Sequence, residues 1–348
     1  MKTILIKFTF MCLFIVFGIS CSDNDQPNPT PSCQNTDILG IGFLPADIGN
    51  ASSSQLFGYL NNSTSTSTLN PINTISLTNP ATPSTLQMSS ANNAVYNAVT
   101  QEYKLVIAEE RRMITLNSTG AITHTPIVTG LPSPDITNAP VYLNSNLYFG
   151  HLSNSSGNLV FDVLDNNYTS VKTITIPSAN RSGNYDWNFT SATNGVDELY
   201  FAIANNIIIY NTVSNTISAN MVTGAPIPTG TIIGLEYKEN DKLYALHEDW
   251  DISSIPNSLL NNTKLVELNI ANPSSITKTT VIDLGFDVNF EFFSTNYNEC
   301  NQKYYISTIA SGSSGLISKN LRIDLAGTPT IVPDFTTFGW IAGMTLKK

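Results

Sequence analysis

Five short segments, each a polar turn leading into an apolar strand, constrain this chain more than any other feature. In order they are "YKLVIAEE" from Tyr103, "SNLYFGHL" from Ser145, "DELYFAIA" from Asp197, "DKLYALHE" from Asp241 and "QKYYISTI" from Gln302. With Leu105, Leu147, Leu199, Leu243 and Tyr304 taken as equivalent, the copies lie 42, 52, 44 and 61 residues apart. No segment of useful length carries a helical stripe, and the recurring strands read with a period of two. An all-β repeat of this length predicts a β-propeller of four-stranded blades.

Each unit fills out to four strands. Blade 5 is the clearest: inner strand "IIGLEY", then "KLYALH", "KLVELNI" and outer strand "TTVIDL". Blade 4 reads "DWNFTSA", "ELYFAIA", "NIIIYN", "TISANMV"; blade 3 "APVYLN", "LYFGHL", "LVFDVLD", "KTITIP"; blade 2 "NAVYNAV", "YKLVIAE", "RMITLN", "HTPIVTG". Turns between the first two strands carry Asn, Asp and Gly, as tight hairpins require.

The ends complement one another. "GWIAGMTLKK" reads as an inner strand similar to "IIGLEY", but no blade follows it. "DILGIGFLP", "QLFGYL" and "PINTISL" read as second, third and outer strands with no inner one. Residues 340–346 are therefore expected to complete the first blade, closing an all-β ring of six blades and hiding its edges. Seven is the alternative count, because residues 285–339 are irregular.

"GLEYKENDKLYAL" and "IAGMTL" resemble the blade pattern G-(L/M)-x-(Y/F)…G-x-L-Y of six-bladed propellers of the NHL, gluconolactonase (SMP-30-like) and YVTN type. The resemblance runs over nearly all of the chain after its leader and implies architecture. Such propellers include hydrolases, dehydrogenases and pure binding proteins, so fold alone does not select a function.

The leader has its own plan. Residues 1–20, with Lys2 and Lys7 ahead of an apolar run from Phe8 to Phe17, read as a signal peptide. "FGISC" resembles the lipobox of Gram-negative lipoproteins, which implies lipidation of Cys21 and a membrane anchor. A polar, proline-rich tether follows to residue 32, then a single propeller domain over 33–348. The acidic "CSDND" resembles signals that send such lipoproteins to the cell surface, so the outer membrane is expected, facing the periplasm or the exterior. Cys33 and Cys300 remain as an even pair, which in an exported protein suggests a disulfide.

Removal of the leader takes two of the 16 basic residues and none of the 26 acidic ones, moving the net charge from −10 to −12. With no basic cluster, such a chain does not suit nucleic acid. Charged residues make up 12% of the chain, about half the usual share, and Asn, Ser and Thr supply the polarity instead.

In a propeller the outer-to-inner links and the loops after each second strand share one face. Here several are long, including "HEDWDISSIPNSLLNNT" and "ASGSSGLISKN". Long loops on a rigid scaffold are where binding residues gather. Trp250, His247, Asp249, Trp187, Tyr185, Arg181 and His151 are the candidates for this face, with a glycan, peptide or protein as partner. His151 and His247 occupy equivalent places in blades 3 and 5, which are not adjacent; that weakens a shared metal site. The gluconolactonase resemblance implies a second reading, in which Glu236, Asp186, Asn138 and Glu291 hold Ca²⁺ near the axis for a hydrolase or dehydrogenase. No signature of a serine, zinc or phosphate-binding enzyme is present, and no catalytic residue is assigned.

Overall fold

The computed structural model describes residues 37–44, 54–61, 68–78, 94–107, 110–128, 136–152, 158–177, 189–203, 205–223, 230–251, 258–259, 262–289, 292–312, 315–333 and 339–347. All lie in the compact unit Asn35–Lys348. They form strands and turns, with no helix among them.

Six blades are present. Blade 2 runs through Ala94–Asn97, Glu102–Ile107, Arg112–Leu116 and Ile122–Pro126, and blade 3 through Ile136–Leu143, Asn146–Leu152, Leu159–Leu164 and Ser170–Ile176. Blade 4 uses Phe189–Thr193, Glu198–Ile203, Asn206–Asn211 and Thr216–Thr223. Blade 5 uses Gly230–Lys238, Lys242–Asp251, Lys264–Asn269 and Ile276–Asp283. The stretch that looked irregular in sequence is blade 6: Phe293–Asn298, Lys303–Gly312, Gly315–Asp324 and Thr330–Pro333.

Blade 1 is composite, as expected. Ile38–Phe43, Gln55–Leu60 and Leu69–Ile75 receive Trp340–Leu346 as their inner strand, antiparallel, with Phe43 opposite Trp340 and Ile38 opposite Leu346. The closing strand is also held from blade 6. Ile341 N–H donates to Ser307 Oγ at 2.8 Å, and Met344 N–H to Ser294 Oγ at 2.7 Å. The Trp340 ring is buried 5.1 Å from Phe43 and 5.7 Å from Phe292.

Middle strands depart from the expected alternation. Ile38–Phe43, Arg112–Leu116 and Leu159–Leu164 are buried at every position, whereas the outer strand Ser170–Ile176 is largely exposed. A blade is covered on both faces by its neighbours, so a middle strand has no solvent side. Apolar clusters fill the gaps between consecutive blades; one joins Leu243, Ala245 and Val266 of blade 5 to Tyr200, Ala202 and Ile207 of blade 4. Polar middle-strand residues therefore need partners, and buried Asp162 accepts from Ser170 Oγ at 2.6 Å and Thr173 Oγ1 at 2.8 Å.

The inner strands carry β-bulges. In blade 5, two residues, Gly234 and Leu235, face one, Ala245; in blade 1, Gly343 and Met344 face Gly40. Both glycines are left-handed, at φ +59° and +57°. Blade 3 bulges too, with Asn138 and Ala139 facing Gly150. One alignment changes. The cross-strand pairs Tyr96–Tyr103 and Tyr297–Tyr304 put Tyr103, not Leu105, in register with Tyr304.

Candidate functional site: paired ribbons on the loop face

Second strands in blades 1, 2 and 4 are six residues long, but those in blades 5 and 6 are ten. Starting from the same hairpin level, the two long strands run on by three or four residues, about 10 Å at 3.3 Å per residue. The segments read as loops in the sequence are thus partly strand. In blade 5, "HEDWD" continues the strand, and Trp250 and Asp251 pair with Leu259 and Ser258. In blade 6 the second and third strands pair throughout, out to Gly312 opposite Gly315. The two β-ribbons rise side by side from adjacent blades.

Strand alternation decides where "HE" goes. Leu243 and Ala245 face blade 4, and Tyr244 and Leu246 face blade 6. Continuing the alternation, His247 turns toward blade 4 and Glu248 toward blade 6. Both are buried, 1% and 0% exposed. The Lys278 ammonium lies 3.3 and 3.4 Å from the two ring nitrogens of His247.

Glu248 sits at the base between the ribbons, where the link Leu284–Asn289 passes from blade 5 to blade 6. Thr263 fastens that link, its N–H donating to Phe286 O at 3.1 Å and its O accepting Leu284 N–H at 3.0 Å. The Thr263 hydroxyl accepts Val288 N–H at 2.8 Å and donates to Glu248 Oε1 at 2.7 Å. Glu248 Oε2 is buried without a hydrogen-bond partner. Burial pushes the Glu248 carboxyl up to about 7; the Thr263 hydroxyl pulls it down and the nearby Asp287 charge adds to the rise. From the blade 6 side, Thr308 Oγ1 accepts Asn289 N–H at 3.1 Å, and the Lys319 ammonium lies 4.0 Å from the centre of the Phe286 ring.

The other sequence candidates distribute as follows. Trp250 and Asp249 lie in the blade 5 ribbon, and His151 lies in blade 3 opposite Thr137 and Val160; the side chains of all three are outside the described residues. Asn138 falls in the blade 3 bulge. Glu236, on the blade 5 inner strand, accepts from Thr295 Oγ1 at 3.1 Å. Arg181, Tyr185, Asp186, Trp187, Glu291, Cys21 and Cys33 lie outside the described residues. Among the described residues, no three His, Cys, Asp or Glu side chains come together as a metal-binding group. Sequence reasoning passed over Glu248, Thr263, Asp287 and Thr308; only the two-residue alternation through "HE" could have marked Glu248 as the inward partner.

A second buried charged cluster lies between blades 1 and 2. Arg112 donates to Glu110 at 2.9 Å and to Leu77 O at 2.8 Å, and its guanidinium also meets His124 Nδ1. Burial first, and the Arg112 charge second, hold the His124 imidazole below its usual value.

No family model matches the chain, and no curated protein matches it. Solved structures do. A protein of unknown function from Bacteroides caccae superposes with a TM-score of 0.54 at 10% identity, covering 90% of this chain and 99% of that one. Virginiamycin B lyase from Staphylococcus aureus gives 0.46 at 13% identity, covering 85% and 87%. These likenesses concern the fold.

Proposed function

We propose that this protein is a non-catalytic binding propeller that recognises a glycan, peptide or protein through its loop face. The observation that carries the reading is the pair of ribbons raised by blades 5 and 6. Four more strand residues in each of two neighbouring blades carry the paired backbone beyond the level at which the second strands of blades 1, 2 and 4 end. The blade 5 ribbon carries Asp249, Trp250 and Asp251 in sequence, residue types that suit stacking on and hydrogen bonding to a sugar or peptide.

In this reading the chain is exported and held by lipid at Cys21 in the outer membrane, with residues 22–32 as spacer and a Cys33–Cys300 disulfide tying the start of the domain to blade 6. Support comes from the leader, the "FGISC" motif and the even cysteine pair. Palmitate labelling lost in Cys21→Ala tests the anchor. Two free thiols in the mass of the unreduced protein would remove the disulfide.

The binding claim is tested by thermal shift of the protein against glycan and peptide panels. A hit abolished by Trp250→Ala, with the variant's own unfolding curve unchanged, is the expected result. A hit that survives Trp250→Ala would move the site off the ribbons, and a blank panel would count against a binding function.

A further inference from the structure

The base of the ribbon pair holds a group that the binding reading leaves unused. Glu248 is wholly buried, one carboxylate oxygen satisfied by Thr263 and the other facing no donor. A buried acceptor without a partner is costly, and more so when charged. Asp287, on the link beneath the ribbons, is exposed and close enough for its charge to act on Glu248. A third oxygen stands at the base, the Thr263 hydroxyl, held in place by Val288 N–H.

We propose that this base is a site for a divalent, oxygen-preferring cation of the Ca²⁺ class, with Glu248 and Asp287 as its two anionic ligands. Two carboxylates from separate elements balance one divalent charge, and an all-oxygen set favours a hard ion over a transition metal. The ion sits at the buried oxygen, so it ties the blade 5 strand to the interblade link and stiffens the foundation of both ribbons. Partial burial raises the Asp287 carboxyl above its usual value, and the Lys319 ammonium, on the blade 6 strand facing the link, opposes that rise and competes with the ion for the carboxylate. The site is independent of what the ribbons bind.

The test uses the full chain, stripped with chelator and titrated with CaCl₂ or MgCl₂ at pH 8 while thermal unfolding is followed. Expected is a saturable rise in Tm. Glu248→Gln abolishes the response, and Asp287→Asn weakens it at least tenfold. Asp287 is exposed, so its variant keeps the test decisive if Glu248→Gln fails to fold. No saturable shift in the unmodified protein, or an undiminished response in either variant, would overturn the site.

Discussion

The hydroxyl of Tyr304 in blade 6 donates to the carbonyl of Gly234 on the inner strand of blade 5, and two gaps further round the ring Tyr103 of blade 2 makes the same bond to Gly343 of blade 1 at 2.8 Å. The bulge that turns each glycine into the left-handed region also frees the next N–H. In each case a hydroxyl of the preceding blade accepts it: Thr190 Oγ1 takes Leu235 N–H at 3.1 Å, and Ser294 Oγ takes Met344 N–H. Each bulge is therefore clamped from both sides, and three consecutive blades are joined through one backbone distortion. This is why "IIGLEY" and "WIAGMTL" look alike: the shared Gly marks the bulge.

Tyr304→Phe removes the donor and leaves a buried carbonyl unpaired, so it should cost about 1–3 kcal/mol in urea unfolding with an unchanged m-value. Gly234→Ala should cost more, because its Cβ would lie 2.7 Å from Thr295 Cγ2 and 2.8 Å from the Tyr304 hydroxyl, at positive φ. The double variant should be less destabilised than the sum, because deleting that hydroxyl removes one of the clashing atoms. Additive costs would mean that the clamp does not couple the two residues.

Ring closure gives a sharper test. Deleting residues 340–348 strips blade 1 of its inner strand and leaves Ser294 and Ser307 of blade 6 without the N–H groups they receive. Cooperative unfolding should be lost. Trp340→Ala, which empties a large buried volume without removing the strand, should cost about 3–5 kcal/mol and keep cooperativity. An unchanged melting curve after the deletion would rule out closure by this strand.

For the cluster between blades 1 and 2, Arg112→Met should destabilise by about 2–4 kcal/mol, leaving Glu110 and the Leu77 carbonyl without their buried partner. It also removes the positive charge beside His124. NMR titration should then show the His124 pKa rising toward its ordinary value while staying below it, because burial, the larger cause, persists. No movement of the His124 titration would show that Arg112 does not act on it.

The architecture was legible because its rules are local. Asn and Asp at the turns accept backbone N–H groups two residues on, as at Asn97, Asn194, Asn211 and Asn298, so the Asn-rich composition is largely turn chemistry. Closure was legible because an unpaired inner strand and a blade lacking one are complementary patterns. What escaped was register and length. Apolar residues fill both faces of middle strands, so nothing in "YKLVIAEE" separates Tyr103 from Leu105 as the repeat position. Polar residues in "HEDWD" and "ASGSSG" read as loop because the backbone pairing that keeps them in strand leaves no mark on side-chain polarity. The candidate site was legible as a face but not as residues, since Glu248 meets Thr263 only through tertiary pairing.

Glu248 should also leave a signature in the pH dependence of stability. Its carboxyl ionises near 4.5 when unfolded and near 7 when folded. Below pH 4.5 both states hold the proton, and the group has no effect. Between 4.5 and 7 the unfolded chain releases it first, so stability falls as pH rises; above 7 the loss is complete. At about 1.4 kcal/mol per pKa unit the total is on the order of 3 kcal/mol. Glu248→Gln keeps an acceptor for Thr263 but cannot ionise. In metal-free buffer its stability relative to the unmodified protein should therefore climb from pH 4.5 to 7 and level off. A difference between the two proteins that stays constant from pH 4 to 8 would show that Glu248 titrates as an ordinary carboxylate.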